Sequence, residues 1–101
     1  MRHRPLGNAT VLVLASIARG CKYGFDIMDD TGLQSGSVYR ALSRLEELGL
    51  ARSKWEAAHL AVREKRPRRR YYEMTESGKA ELSTARETIA GLAKRLRTES
   101  H

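Results

Sequence analysis

One cysteine, one tryptophan, one phenylalanine and two prolines are all that 101 residues contain of these types. A lone Cys21 cannot close an internal disulfide, which removes the disulfide-stapled secreted domains from consideration. It is read as packed near a helix end, with redox sensing as the alternative. The three histidines, at positions 3, 59 and 101, are far apart, and beside a single thiol they offer no metal-ligand spacing. There is no glycine-rich phosphate loop, no nucleophile–base pair with supporting context and no carboxylate pair among apolar walls. No catalytic residue, metal or cofactor is therefore expected. No apolar run approaches the ~20 residues of a membrane span, and the N-terminus lacks a signal-peptide pattern, so the expected location is the cytoplasm.

What is abundant is positive charge. Nineteen Lys and Arg against twelve Asp and Glu leave +7, with 41% hydrophobic residues to build a core. The length suits one domain. Residues 51–74 alone hold eight basic side chains (Arg52, Lys54, Arg63, Lys65, Arg66, Arg68, Arg69, Arg70) and three acidic ones, a net of +5. Most of the excess is thus a patch, and a patch implies a polyanionic partner. A merely solvated charge run is the bland alternative.

Residues 34–50 organise the chain. On a helix, Val38, Ala41, Leu42, Leu45 and Leu48 gather on one side, while Gly36, Arg40, Ser43 and Glu47 lie opposite, flanked by Tyr39 and Arg44. Ser35 is the expected N-cap and Gly49 the stop. A small, polar first turn backed by an apolar face is what a helix needs to enter a DNA groove. An ordinary amphipathic core helix has the same periodicity.

Around it the chain reads in order. Asn8–Ala18 is expected as a helix capped by Asn8, apolar nearly all round at Val11, Leu12, Val13, Leu14 and Ile17, with strand as the minor alternative. Such a helix is buried on more than one side, here against its own core and a second subunit. Residues 22–30 form a second short helix offering Phe25, Ile27 and Met28 to the core, and Thr31-Gly32 breaks it, giving a helix-turn-helix pattern. The period then changes to 2 at Ala51, Ser53 and Trp55 and again at 69–74, where Tyr72 faces the core and Tyr71 is half exposed. Trp55 is read as core or interface filling. Between the strands a basic loop, residues 57–68, makes a wing, with Leu60-Ala61-Val62 unexplained. Thr75 caps a last helix with Glu76 in its first turn. Its Leu82, Ala85, Ile89, Leu92 and Leu96 form a narrow seam, and Gly91 lies opposite.

At this point the sequence resembles the PadR family of bacterial transcriptional regulators. The carrying segments are Tyr23-Gly24-Phe25-Asp26-Ile27, Ser35-Gly36-Ser37-Val38-Tyr39-Arg40-Ala41-Leu42, Leu45-Glu46-Glu47-Leu48-Gly49-Leu50 and Arg70-Tyr71-Tyr72-Glu73-Met74-Thr75-Glu76-Ser77-Gly78. They are similar to the family's G-Y-E-I, S-P-G-T-L-Y-P-A-L, L-E-E-x-G-L and Y-Y-x-L-T-x-x-G elements over residues 8–82. Ser35 and Arg40 stand where the family often has proline, and Cys21-Lys22 replaces small residues or proline. The resemblance implies a mainly α fold with a small β-hairpin, a winged helix-turn-helix over residues 1–74 and a C-terminal dimerisation helix over 75–101. It also implies a homodimeric repressor on a near-palindromic operator, with half-sites one helical turn (~34 Å) apart. The short last helix gives no sequence support to a small-molecule effector.

The expected DNA-binding residues are Gln34, Ser35, Ser37, Tyr39, Arg40 and Ser43 on the recognition helix, Lys54, Arg63, Lys65, Arg66, Arg68 and Arg69 on the wing, and Tyr23 at the second helix. Tyr39 matches the family tyrosine that meets the phosphate backbone. For any single serine, turn or capping chemistry is the alternative. Val11, Leu14, Leu82, Ala85, Ile89, Leu92 and Leu96 are the expected dimer interface. The rival function is a basic module that binds nucleic acid without sequence preference or docks an acidic protein.

Overall fold

The computed structural model describes residues 5–99; residues 1–4, with His3, and residues 100–101, with His101, lie outside them. Seven elements follow in order: α1 (Asn8–Ala18), α2 (Gly24–Thr31), α3 (Ser35–Glu47), β1 (Ala51–Trp55), α4 (Ala58–Arg63), β2 (Arg70–Met74) and α5 (Glu76–Glu99).

Three short helices converge because each has an apolar side the others can cover. Leu14, Ile27, Val38, Leu42 and Leu45 are fully buried at the meeting of α1, α2 and α3, joined by Val13, Ile17, Leu50, Tyr72 and Leu82. Burial of each such side chain contributes ~1.5–3 kcal/mol before entropy is counted. The tight α2–α3 turn is made by Gly32, whose φ of 75° suits glycine, and by Thr31, whose hydroxyl donates to the Ile27 carbonyl and accepts from the Leu33 N–H.

β1 and β2 pair antiparallel, with Ala51 opposite Met74, Ser53 opposite Tyr72 and Trp55 opposite Arg70. The face carrying Ala51 and Tyr72 closes over the helices. The other face carries Arg52 and Lys54, both ion-paired to Glu73 (3.5 and 3.8 Å). Tyr23 bridges Tyr71 on the open side of β2, tying the start of α2 to the hairpin. Helix-turn-helix followed by a two-stranded wing is a winged helix-turn-helix.

Several expectations need correction. Trp55 shares the inward face but is 56% exposed, because the twisted hairpin outruns the helices below it. Phe25 is 45% exposed on the outer side of α2. The cap of α3 is Gln34 rather than Ser35, and that of α1 is Gly7 rather than Asn8; these are the last extended residues, so Ser35 and Asn8 are already helical, and neither cap residue makes a side-chain hydrogen bond. The second helix begins at Gly24, not at residue 22. The wing is no simple loop: Leu60-Ala61-Val62 belong to α4, pinned by the buried Ala61 and closed by Lys65 in a left-handed conformation (φ 54°).

α5 begins as the sequence suggests. The Gly78 N–H donates to the Thr75 hydroxyl (3.0 Å), which donates to the Gly49 carbonyl (2.7 Å). Leu82 packs in the core, as does Leu14 of α1, so both hold the subunit together and neither is on a surface that a second chain can reach. Val11 is half-buried against the same core, and Leu12 beside it is the exposed large apolar side chain of α1. Further along α5, Ile89, Leu92 and Leu96 are all more than half exposed. At 1.5 Å per residue a helix this long reaches ~36 Å, well past the three-helix core.

Candidate nucleic-acid interface

The polar side of α3 is open to solvent along its length. Gly36, Tyr39, Arg40, Ser43, Arg44 and Glu47 line a shallow groove on it. These are the residues that helical periodicity places opposite the buried side. Gln34 and Ser35 continue the exposed surface at the N-terminal end, and Ser37 is half-buried beside it. Arg40 and Arg44 supply guanidinium donors to this face.

Tyr39 leans toward α2. Its hydroxyl lies over Gly24, so close that a methyl group there would collide with the ring (2.8 Å to Cζ). Gly24 therefore seats Tyr39, whose ring is still half exposed. Because the obstacle is the end of one side chain, Gly24→Ala should swing the phenol away instead of unfolding the domain. The expected outcome is several-fold weaker DNA binding with the thermal midpoint almost unmoved, measured by anisotropy and calorimetry.

The basic run of the wing divides into two kinds of arginine. Arg66, expected as a DNA contact, is instead a strut. Its guanidinium takes both carboxylate oxygens of the buried Glu56 and also Glu64 (3.1 Å), leaving its side chain 18% exposed. Glu56 also accepts the Arg69 backbone N–H (2.8 Å), and its carbonyl accepts Arg68 Nε (3.0 Å). The Arg66 guanidinium, against the opposing cost of burial, holds the Glu56 carboxyl below the usual carboxylate range, and the Arg66 pKa rises in turn. Arg70 is similarly engaged, by Ser53 (2.7 Å) and Glu46 (3.4 Å).

Arg63, Lys65, Arg68 and Arg69 have no carboxylate partner among the described residues. Lys54 is exposed and shares Glu73 with Arg52. Arg69 lies over the rings of Tyr23 and Phe25 (5.4 and 5.1 Å), and Arg68 and Arg70 lie over Trp55 (both 5.9 Å). Tyr23 is thus brought to the wing, not to the α3 groove. The surface is a polar helix flanked by unpaired cations, and among the described residues no His, Cys, Asp or Glu group could hold a metal ion. Among the described residues no helix is long and apolar enough to cross a membrane.

Residues 13–84 match the Transcriptional regulator PadR-like family. The chain belongs to that family. It is accordingly a DNA-binding transcription regulator and not an enzyme. The PadR-like fold is shared with a PadR family regulator of Clostridium difficile R20291 (23% identity over 91% of this chain and 97% of that one, TM-score 0.76). A transcriptional regulator of Clostridium thermocellum is similar at 21% identity, 92% and 90% coverage and TM-score 0.74. BpsR of Bordetella bronchiseptica, whose DNA binding is regulated by 6-hydroxynicotinic acid, aligns at 17% identity, 97% and 67% coverage and TM-score 0.68. No curated protein sequence matches significantly.

Within this PadR-like chain, sequence reasoning missed Phe25 and Trp55 as members of the exposed surface. For Trp55 the alternation named the face correctly but could not say where the core ended along it; Phe25, offered to the core, lies on the outer side of α2.

Proposed function

We propose that this PadR-like chain is a sequence-specific repressor that works in the cytoplasm as a homodimer on a near-palindromic operator. α3 enters the major groove with Arg40 and Ser43 toward base edges, Tyr39 and the serines of its first turn toward phosphates, and the wing lies alongside. The carrying observation is the open polar face of α3, whose Tyr39 shares a cleft with Arg68 and Arg69 of the wing. Phosphate contacts from the wing supply affinity, and the α3 face has the donors to read base edges in the major groove.

Dimerisation runs through α5, where Ile89, Leu92 and Leu96 sit on one side with Ala85 leading into them. Three large apolar side chains in a row at 3–4 spacing are the seam of a helix pair. Leu92→Glu should give a monomer by sedimentation and lower operator affinity by ~100-fold, since each half-site then binds alone. A variant that stays dimeric would move the interface elsewhere.

Tyr39→Ala should weaken operator binding about tenfold while leaving thermal stability nearly unchanged, because the removed ring is half exposed. The deciding titration compares labelled duplex from upstream of the protein's own gene with a scrambled duplex, at ~50 and ~200 mM salt. Preference that persists at the higher salt supports the specific regulator; equal binding that collapses with salt supports the non-specific module.

A further inference from the structure

Between α2 and the hairpin lies a cleft of about 410 Å³, lined by Tyr23, Gly24, Phe25, Tyr39, Trp55, Tyr72 and Arg68–Arg70. Its size is within the range of small-ligand sites. No acidic residue lines it, while three arginines do, of which Arg70 is already paired to Glu46. Its two sides carry rings: half-buried Tyr23 and exposed Phe25 stacked on each other (centroids 6.1 Å, 14° between planes) on the helix side, and exposed Trp55 on the hairpin side.

Duplex DNA accounts for half of this. A backbone phosphate would satisfy the arginines, but the bases of a duplex are stacked inside it and cannot join those arginines on the ring faces. A ligand that brings a phosphate and a planar base together accounts for both, by charge-assisted hydrogen bonds to guanidinium and by stacking on aromatic faces. Arg68 and Arg69, whose guanidiniums have no carboxylate partner among the described residues, suit the roughly −2 charge of a phosphate monoester, while Arg70 is already held by Glu46.

From this geometry we infer that the cleft binds a free nucleotide, with its phosphate on Arg69 and its base against Trp55. The cleft shares Tyr39 with the α3 groove. A bound nucleotide would therefore compete with DNA for the phenol and for Arg68 and Arg69. That regulatory consequence rests on the proposed DNA docking; occupancy of the cleft does not.

Trp55 is the sole tryptophan, so its fluorescence reports directly on the cleft. The full chain is titrated with GMP, guanosine and inorganic phosphate. Saturable quenching by GMP is expected below ~100 µM, with guanosine and phosphate each at least about tenfold weaker, since each makes only half of the contacts. Arg69→Ala should weaken GMP about tenfold, and Arg40→Ala, outside the cleft, should leave GMP unaffected while weakening DNA. Absence of saturation by ~1 mM GMP, or phosphate binding as well as GMP, would overturn the inference. Because operator binding is titrated separately on the same variants, loss of the nucleotide reading with DNA binding intact is distinguishable from failure of the DNA reading itself.

Discussion

Replacing Glu56 with glutamine should weaken DNA binding by about tenfold, although it removes a negative charge from a surface that attracts DNA. Charge alone gives the opposite sign. Three members of the basic run depend on Glu56: its carboxylate holds Arg66 and the Arg69 N–H, and its carbonyl holds Arg68. An amide in its place turns one acceptor into a donor facing the guanidinium, so Arg66 leaves its site and the segment that aims Arg68 and Arg69 loses its anchor. The salt dependence of binding should flatten by one to two phosphate contacts, which a purely electrostatic gain would not produce. Arg63→Ala, at an exposed position on α4, should flatten it by about one contact without touching stability. If Glu56→Gln binds DNA more tightly than the parent, the carboxylate is only a counter-charge.

The same pair makes the wing acid-sensitive. The folded pKa of Glu56 lies below its ordinary value, so the stability it contributes is fully present above the unfolded pKa of about 4.3 and is lost as pH falls through the folded value. Above that window the wing should show no pH dependence from this source. Fluorescence of Trp55, over which Arg68 and Arg70 lie, should follow the acid transition.

The second large effect is at Gly78. A Cβ there would run into the Leu50 carbonyl oxygen and lie 2.7 Å from Met74 Cγ. Backbone cannot step aside as a side-chain end can, and Leu50 also accepts the Thr75 N–H (3.0 Å) at the start of α5. Gly78→Ala should therefore lever α5 off the hairpin and cost roughly 3 kcal/mol, the upper range for forcing atoms into a packed site. For a domain of this size that is ~12 °C or more in Tm. Gly91, thirteen residues on in the same helix, has nothing within 4 Å of the same atom. Gly91→Ala should stabilise by up to ~1 kcal/mol through helix propensity. Opposite signs for one substitution in one helix, read by thermal unfolding, isolate the contact from the propensity.

Sequence reasoning reached the α3 face because a period of 3.6 leaves one solution: with Val38, Leu42 and Leu45 inside, Gly36, Arg40 and Ser43 must be outside. Thr75 was legible as a cap because its hydroxyl, the following Glu76 and the change of period agree. Arg66 was not separable from Arg68 two residues away. Their difference is set by Glu56, ten residues earlier, and appears only when the chain folds back on itself. α4 is a six-residue helix whose one buried side chain is Ala61, too short for periodicity to register. Leu14 and Ile89 are both apolar at helical spacing. That one faces the subunit's own core and the other faces outward follows from how far α5 extends past α1, α2 and α3.

The hairpin has one more property. Among the described residues β1 ladders with β2 alone, so one row of its amides and carbonyls is an open template for another strand. Arg52 and Lys54 stand along that strand, and two such edges approaching each other would bring like charges together. The cations of this strand thus also keep wings from adding to one another. Neutralising them to soften DNA affinity would invite edge-to-edge aggregation before the domain lost its fold.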